Sequence, residues 1–410
     1  GRGTLASVGR CWGLNVTDNT IPIAIPALGH RESEAVLKPL QSGWVAQGPE
    51  VAAFERNFAQ YTQSPYALAC SSGTAALHLA LSALGVGPGD EVVVPGFTWV
   101  ATANVVELLG ARAVLCDIDP DTFVSTPDHF EAVLSPRTKA LMPVHLFGFV
   151  ADMPSICALA ARHGCVVVED AACAAGSFLA GQHAGSFGDL GAFSFHPRKV
   201  ITCGEGGLVL ARDSAVAARV ASLRNHGAED LLVPPGMDPE LAYDPQELLR
   251  HHPGARAYVM ADFVRPGFNY RMTDIQGAVI RVQLDRLDGF VKRRRELAQR
   301  YHAGLAGLPL VLPHEPEEMV HAYQAYVVRV RPEARLGRDG LADALARRGI
   351  QTRQGTHALH LLGAYRERCA PSELPGCLEA HRRSLALPIY PDLTDAQLER
   401  IVSAVQDELG

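Results

Sequence analysis

The chain alternates two kinds of apolar pattern. Short, near-continuous apolar runs are followed by longer stretches in which apolar residues recur at helical spacing. This predicts helices over Thr74–Leu84, Val100–Leu109 and Met153–Arg162, and strands over Glu91–Val94, Ala113–Cys116, Ala140–Val144 and Val166–Glu169. Leu77, Leu81 and Leu84 share one helical face, and Gly85 supplies the stop. Val166-Val167-Val168 has no polar face. Runs of that kind predict central strands buried on both sides, as in a mostly parallel sheet. Strands and helices in this alternation make an α/β pattern.

From Thr273 to about Leu308 one long helical pattern continues. A strand over Tyr326–Val330 and helices over Asp339–Arg347 and Asp395–Glu408 follow it. The expected organisation is a weakly patterned extension over residues 1–20, a large domain over 21–272 and a small α+β C-terminal domain over 273–410. Within the large domain, residues from about 228 to about 266 change texture, because Pro234, Pro235, Pro239, Pro245, Pro253 and Pro266 interrupt the pattern. That stretch reads as an insertion: a surface excursion, or else a substrate lid or interface element.

Charge and cysteine usage narrow the setting. Thirty-seven basic residues against 44 acidic ones leave a net charge of −7, which argues against nucleic acid or an anionic membrane as partner. No stretch approaches the ~20 uninterrupted apolar residues that span a bilayer, and no long apolar core follows a basic start. Nine cysteines with no CxxC pair suit free thiols in a reducing cytoplasm, so a cytoplasmic location is expected. No His/Cys cluster has zinc spacing, and no metal is expected. The alternating carboxylates of Asp117, Asp119 and Asp121 lack the glycine and distal glutamate of a calcium loop and read as a strand-end turn. The run Lys292–Arg295 lies in a helical pattern and reads as a solvated face. Asn15-Val16-Thr17 matches a glycosylation sequon of the kind that arises by chance.

The chemistry concentrates between Val166 and Gly207. A buried strand delivers Glu169 and Asp170 at its C-terminal end. A second apolar run, Gly191–Phe195, then delivers His196, Arg198 and Lys199 on a turn. Ligands in open α/β sheets bind outside the carboxyl ends of the strands. A lysine can form a Schiff base with a cofactor carbonyl, and an aspartate can hold a pyridinium nitrogen protonated. Together they are a minimal kit for pyridoxal 5'-phosphate (PLP). Taken singly, Lys199 reads as a surface lysine and Asp170 as a helix cap. Ser71-Ser72-Gly73-Thr74-Ala75 opens a helix and is either an ordinary N-cap or a phosphate site. Trp99 follows a strand exit, where an aromatic packs in the core or stacks on a cofactor ring.

The order SSGTA, PGFTWVAT, EDAA, FSF…K…GEGG and GFNYRM resembles the DegT/DnrJ/EryC1/StrS family of PLP-dependent sugar aminotransferases, from about Ile21 to the C-terminus. The resemblance implies the aspartate-aminotransferase-like fold, PLP fold type I, and a homodimer with shared active sites. It implies that Lys199 forms the Schiff base and shuttles a proton, and that Asp170 holds the pyridine nitrogen. Trp99 would stack on the ring. Gly73, Thr74, Ala75 and Ser194 would hold the phosphate, and Asn269 would reach the neighbouring subunit's cofactor. Where the family usually has Gln or His, near the cofactor's phenolic oxygen, this chain has Cys173. Dehydratase relatives carry histidine at the lysine position, whereas Lys199 is in register here.

The implied reaction moves an amino group from L-glutamate to a nucleotide-linked keto sugar. FTWVATANV paired with FHPRK…GEGG looks more like members acting at carbon 4 of 4-keto-6-deoxy sugars. Members acting at carbon 3 or on scyllo-inosose-type cyclitols are the alternatives, as is a non-catalytic PLP-binding regulator. Arg224, Asn225 and His226, with His321 and Tyr323, are candidates for donor or nucleotide contacts.

Overall fold

The computed structural model describes residues 20–228, 262–367 and 371–410. Most of the proposed insertion, the sequon, Cys11 and Cys369 lie outside the described residues. The main sheet is built from β1 (Tyr66–Cys70), β2 (Glu91–Pro95), β3 (Arg112–Cys116), β4 (Thr138–Leu141), β5 (Val166–Asp170), β6 (Leu190–Ser194) and β7 (Gly207–Ala211). Their order is β1-β7-β6-β5-β4-β2-β3. All neighbours pair in parallel except β7, which is antiparallel to both β1 and β6. A parallel neighbour needs a long crossover, usually a helix. Only residues 195–206 join β6 to β7, so β7 returns beside β6 in the opposite sense. That short return carries Lys199.

The predicted strands are present within a few residues of their expected ends, and they are buried as a continuous apolar layer. Val92, Val93 and Val94 of β2 and Val168 of β5 have no accessible surface. Helices α1 (Pro49–Thr62), α2 (Gly73–Ala83), α3 (Ala101–Leu108), α4 (Met153–His163) and α5 (Ser214–Arg224) accompany the sheet. Gly85 ends the α2 turn with φ +71°, the left-handed conformation that favours glycine. A second sheet, all antiparallel, has the order β8 (Leu310–Val311), β9 (Tyr326–Val330), β11 (Ser384–Leu387), β10 (Arg353–Gln354).

The core does not divide at residue 273. The long helical pattern resolves into α6 (Asp274–Asp285) and α7 (Leu287–Leu305), separated at Arg286 by φ −99°. α6 packs on α1 so closely that a Cβ on Gly277 would lie 2.8 Å from the Val51 nitrogen. Ile280, Leu284, Leu287, Phe290 and Val291 belong to the large core, whereas Leu297, Ala298, Tyr301 and Leu305 belong to a second core around β8–β11. One helix, α7, therefore spans both cores. Sequence periodicity shows an amphipathic helix but not which core receives each turn.

The basic run on α7 is not uniformly solvated. Helical spacing turns Arg294 inward, leaving it 4% exposed. Its guanidinium donates to the carbonyls of Tyr323 and Ile389, both at 3.0 Å. Burial lowers its pKa to about 10. Replacing Arg294 by Leu keeps the bulk but strands buried carbonyls. We expect a loss of about 3 kcal/mol in denaturant unfolding, against under about 0.5 kcal/mol for the exposed Lys292→Ala.

Candidate active site

Alternation along β5 sends Glu169 and Asp170 to opposite faces of the sheet. Glu169 is fully buried. It accepts the N–H groups of Gly185, Phe187 and Gly188, each at 2.7 Å, and meets His145 Nε2 at 2.8 Å. His145 Nδ1 accepts the Ala151 N–H at 3.2 Å, so the ring proton sits on Nε2 and is donated to Glu169. Asp170 is 5% exposed and faces a cavity. Its Oδ2 accepts the Thr102 hydroxyl at 2.9 Å and its Oδ1 accepts the Ala172 N–H at 3.2 Å. Burial pushes the Asp170 carboxyl pKa up, opposed by the Thr102 hydroxyl and the charge of Lys199.

The cavity, about 340 Å³, opens at the carboxyl ends of the parallel strands. β6 brings Ser194 to it, and the return to β7 brings His196, Arg198 and Lys199. Lys199 is the only lysine among the described residues lining the cavity, and its Nζ lies 3.2 Å from Cys173 Sγ. Helix α2 presents its N-terminus to the same space. Ser72 caps the helix, accepting the Ala75 N–H on its hydroxyl at 3.1 Å. Ala75 is thus occupied and 5% exposed, and it does not line the cavity. The residues placed there are Ser72, Gly73 and Thr74. A Cβ on Gly73 would lie 2.6 Å from Ser194 Cβ, and one on Gly207 would lie 2.2 Å from the Ser72 carbonyl oxygen. Only glycines let β6, β7 and the start of α2 meet this closely.

Trp99 lines the cavity and is 54% exposed, an unusual state for a large aromatic. Its ring lies 6.0 Å from that of His357. The pairing of His357–Ala358 with Phe97–Thr98 brings this wall together with Arg353, Gly355 and Gln324.

Other candidates lie elsewhere. Asn269 and His226 are exposed and do not line this cavity. Asn269 forms a bridge with Asn225, and the His226 N–H donates to the Phe268 carbonyl at 2.7 Å. Arg224 is buried, ion-paired with Glu55 and bonded to the Ala69 carbonyl at 2.7 Å. His321 and Tyr323 are buried and stacked with ring centres 4.0 Å apart. His321 Nδ1 accepts the Tyr323 N–H at 2.8 Å, and the Tyr323 hydroxyl donates to Glu315 at 3.2 Å. Burial pushes the His321 pKa down to about 3. This pair braces the segment that carries Gln324 into the cavity. The sequence reading missed Thr102, Arg353 and His357. Thr102 was within reach as the last residue of PGFTWVAT; Arg353 and His357 arrive only through tertiary contact.

Residues 26–406 match the DegT/DnrJ/EryC1/StrS aminotransferase family. The chain is similar to the aminotransferase TlmJ from Streptoalloteichus hindustanus at 34% identity, covering 95% of this chain and 98% of that one, with a TM-score of 0.83. DesV from S. venezuelae, solved in complex with a ketimine intermediate, matches at 36% identity over 92% and 93% of the two chains, TM-score 0.80. Spr1654 from Streptococcus pneumoniae, solved in its PLP form, matches at 29% identity over 95% and 100%, TM-score 0.84. Among the described residues no cluster could hold a metal, and no helix is long and apolar enough to cross a membrane.

The raised Asp170 pKa has a measurable consequence. A carboxyl whose folded pKa exceeds its unfolded value costs stability once it ionises. Asp170→Asn removes that cost. Without cofactor, the variant should melt at a higher temperature than the parent at neutral pH. The gap should open as pH rises through the carboxylate range and close in acid, which thermal unfolding across pH would show.

Proposed function

This chain belongs to the DegT/DnrJ/EryC1/StrS aminotransferase family and is a sugar aminotransferase, and from that premise we propose that it uses PLP to transfer an amino group from L-glutamate to carbon 4 of a nucleotide-linked 4-keto-6-deoxy sugar. The observation that carries this reading is the convergence of Lys199, Asp170 and the α2 N-terminus on one cavity. The residues fit the cofactor. Gly73 leaves room where a Cβ would strike Ser194, and the first N–H groups of a helix have no partner within it. A helix N-terminus with those free donors suits a phosphate.

Bound PLP supplies an aldehyde for an incoming amine and a ring that accepts electrons from the carbon beside it. Asp170 holds the proton on the ring nitrogen, and the resulting positive charge relieves the cost of burying its carboxylate. The Thr102 hydroxyl and Ala172 N–H aim that carboxylate. Lys199 takes and returns the proton at the amine-bearing carbon, once for each half of the reaction. Trp99 and Ser194 line the cavity, where Trp99 would stack on the ring and Ser194 would add a hydroxyl to the phosphate cradle. Cys173 stands beside Lys199.

The placement at carbon 4 rests on the likeness of the FTWVATANV and FHPRK segments to members acting there. A homodimer is supported by Asn269, which is exposed and outside its own chain's cavity, and by the exposed apolar residues Ile25, Leu28, Leu37, Leu40 and Trp44.

The purified protein should be yellow, and adding L-glutamate should move its cofactor absorbance to shorter wavelength. Lys199→Ala should abolish turnover. A panel of GDP-, UDP- and dTDP-linked keto sugars and an inosose, with NMR of the product, checks the acceptor. Amination at carbon 3 or of the inosose would replace the carbon-4 assignment. Mixing Lys199→Ala with Asn269→Ala, each inactive alone, should restore activity at about a quarter of the sites if random exchange forms mixed dimers with one intact site. No recovery on mixing would remove the shared site.

A further inference from the structure

Arg353 is a half-buried cation of the cavity to which no described residue supplies a partner. It lies on β10, half-buried, and lines the same space as Lys199. Three other arginines of the small domain are ion-paired: Arg329 with Asp121 and Glu379, Arg348 with Asp407 and Glu408, Arg383 with Glu379. Among the described residues Arg353 has no ion pair and no side-chain hydrogen bond. A partly desolvated guanidinium without a partner is costly, and a bidentate oxyanion satisfies its fork.

Its position is firmly set. β10 pairs with β11, Arg353 opposite Ala386 and Gln354 opposite Leu385. The Gln354 side chain donates to the Thr356 carbonyl and to His381 Nδ1, both at 2.8 Å. Gly355 passes so near β11 that a Cβ would lie 2.7 Å from Ser384 Oγ. The strand therefore holds one backbone path beneath the guanidinium.

We propose that Arg353 binds the α-carboxylate of the amino donor. In an α-amino acid the carboxylate is attached to the carbon that carries the amine. When that amine reaches Lys199, the carboxylate must lie inside the same cavity. In a nucleotide-linked sugar the phosphates hang from the anomeric oxygen, across the ring from carbon 4, and lie farther out. A guanidinium in the wall of the Lys199 cavity is placed for the nearer anion. Arg198 is exposed, with its carbonyl accepting from Gln324 at 2.6 Å, and stands at the rim.

The inference rests on the aminotransferase reading above and deepens its donor half. The test uses the cofactor-loaded protein, its Arg353→Gln variant and its Arg353→Lys variant. Calorimetry measures binding of maleate, an unreactive dicarboxylate, and absorbance follows the half-reaction with L-glutamate. Arg353→Gln should weaken maleate and raise the glutamate KM at least about tenfold, leaving the acceptor KM and the melting temperature unchanged. Arg353→Lys should recover part of the loss, because lysine keeps the charge without the fork. Unchanged maleate and glutamate behaviour in Arg353→Gln overturns the inference alone. A loss confined to the nucleotide sugar also overturns it, assigning the guanidinium to phosphate instead. No response of the parent protein to either dicarboxylate overturns the glutamate reading, and this inference with it.

Discussion

The buried carboxylate of Glu169 is the constraint on which the site depends. A fully buried charge survives only with its lone pairs filled. Here three backbone N–H groups from residues 185–188 and a histidine N–H fill them. The result pins two chain segments to the end of β5: the turn at His145 and the loop before β6. Asp170, one residue further, inherits its direction from that anchor. The functional carboxylate is therefore aimed by a neighbour that never touches the cavity, and removing the neighbour's charge would loosen the aim before it touched the chemistry.

Glycines supply the second constraint. Ser72, Gly73, Ser194 and Gly207 belong to three separate segments, yet their atoms approach within distances that exclude a Cβ. The proposed function requires the cofactor's phosphate and the lysine to be addressed from one place. Bringing the α2 N-terminus against β6 and β7 achieves this, and the antiparallel return between β6 and β7 places Lys199 there with only a short connection. Leu387 and Ile389 of the second core, with residues 353–357, then line the other wall.

Much of this was legible in the sequence, for reasons that differ by residue. β5 was visible because a central strand has no polar face, and Asp170 because it follows such a strand. Lys199 and Gly73 were visible because both stand at strand or helix ends, where local pattern and chemistry coincide. Ala75 lies outside the cavity lining and its N–H meets the Ser72 hydroxyl, a geometric detail that spacing does not reveal. Arg294 was read as solvated because a run of four basic residues hides which one turns inward. Arg353 and His357 carry no local signal. They matter through pairing with strands distant in sequence, and only the folded chain brings them to the cavity.

Cys173 shows how such a site tolerates an altered neighbour. A thiol is a weak donor and weak acceptor, so its contact with Lys199 constrains the amine less than an amide or imidazole would. Under the proposed function, Lys199 would leave one partner and take up another in each half of the reaction. The thiol, 3.2 Å away, gives the amine a defined neighbour of weak hydrogen-bonding strength. In that reading the orientation of the cofactor ring would fall more heavily on Asp170 and Trp99. Asp170 is doubly hydrogen-bonded, one residue beyond the Glu169 anchor, and Trp99 is backed by His357. In that reading the departure at one position is absorbed, because the two groups that would fix the ring plane are held from elsewhere in the fold.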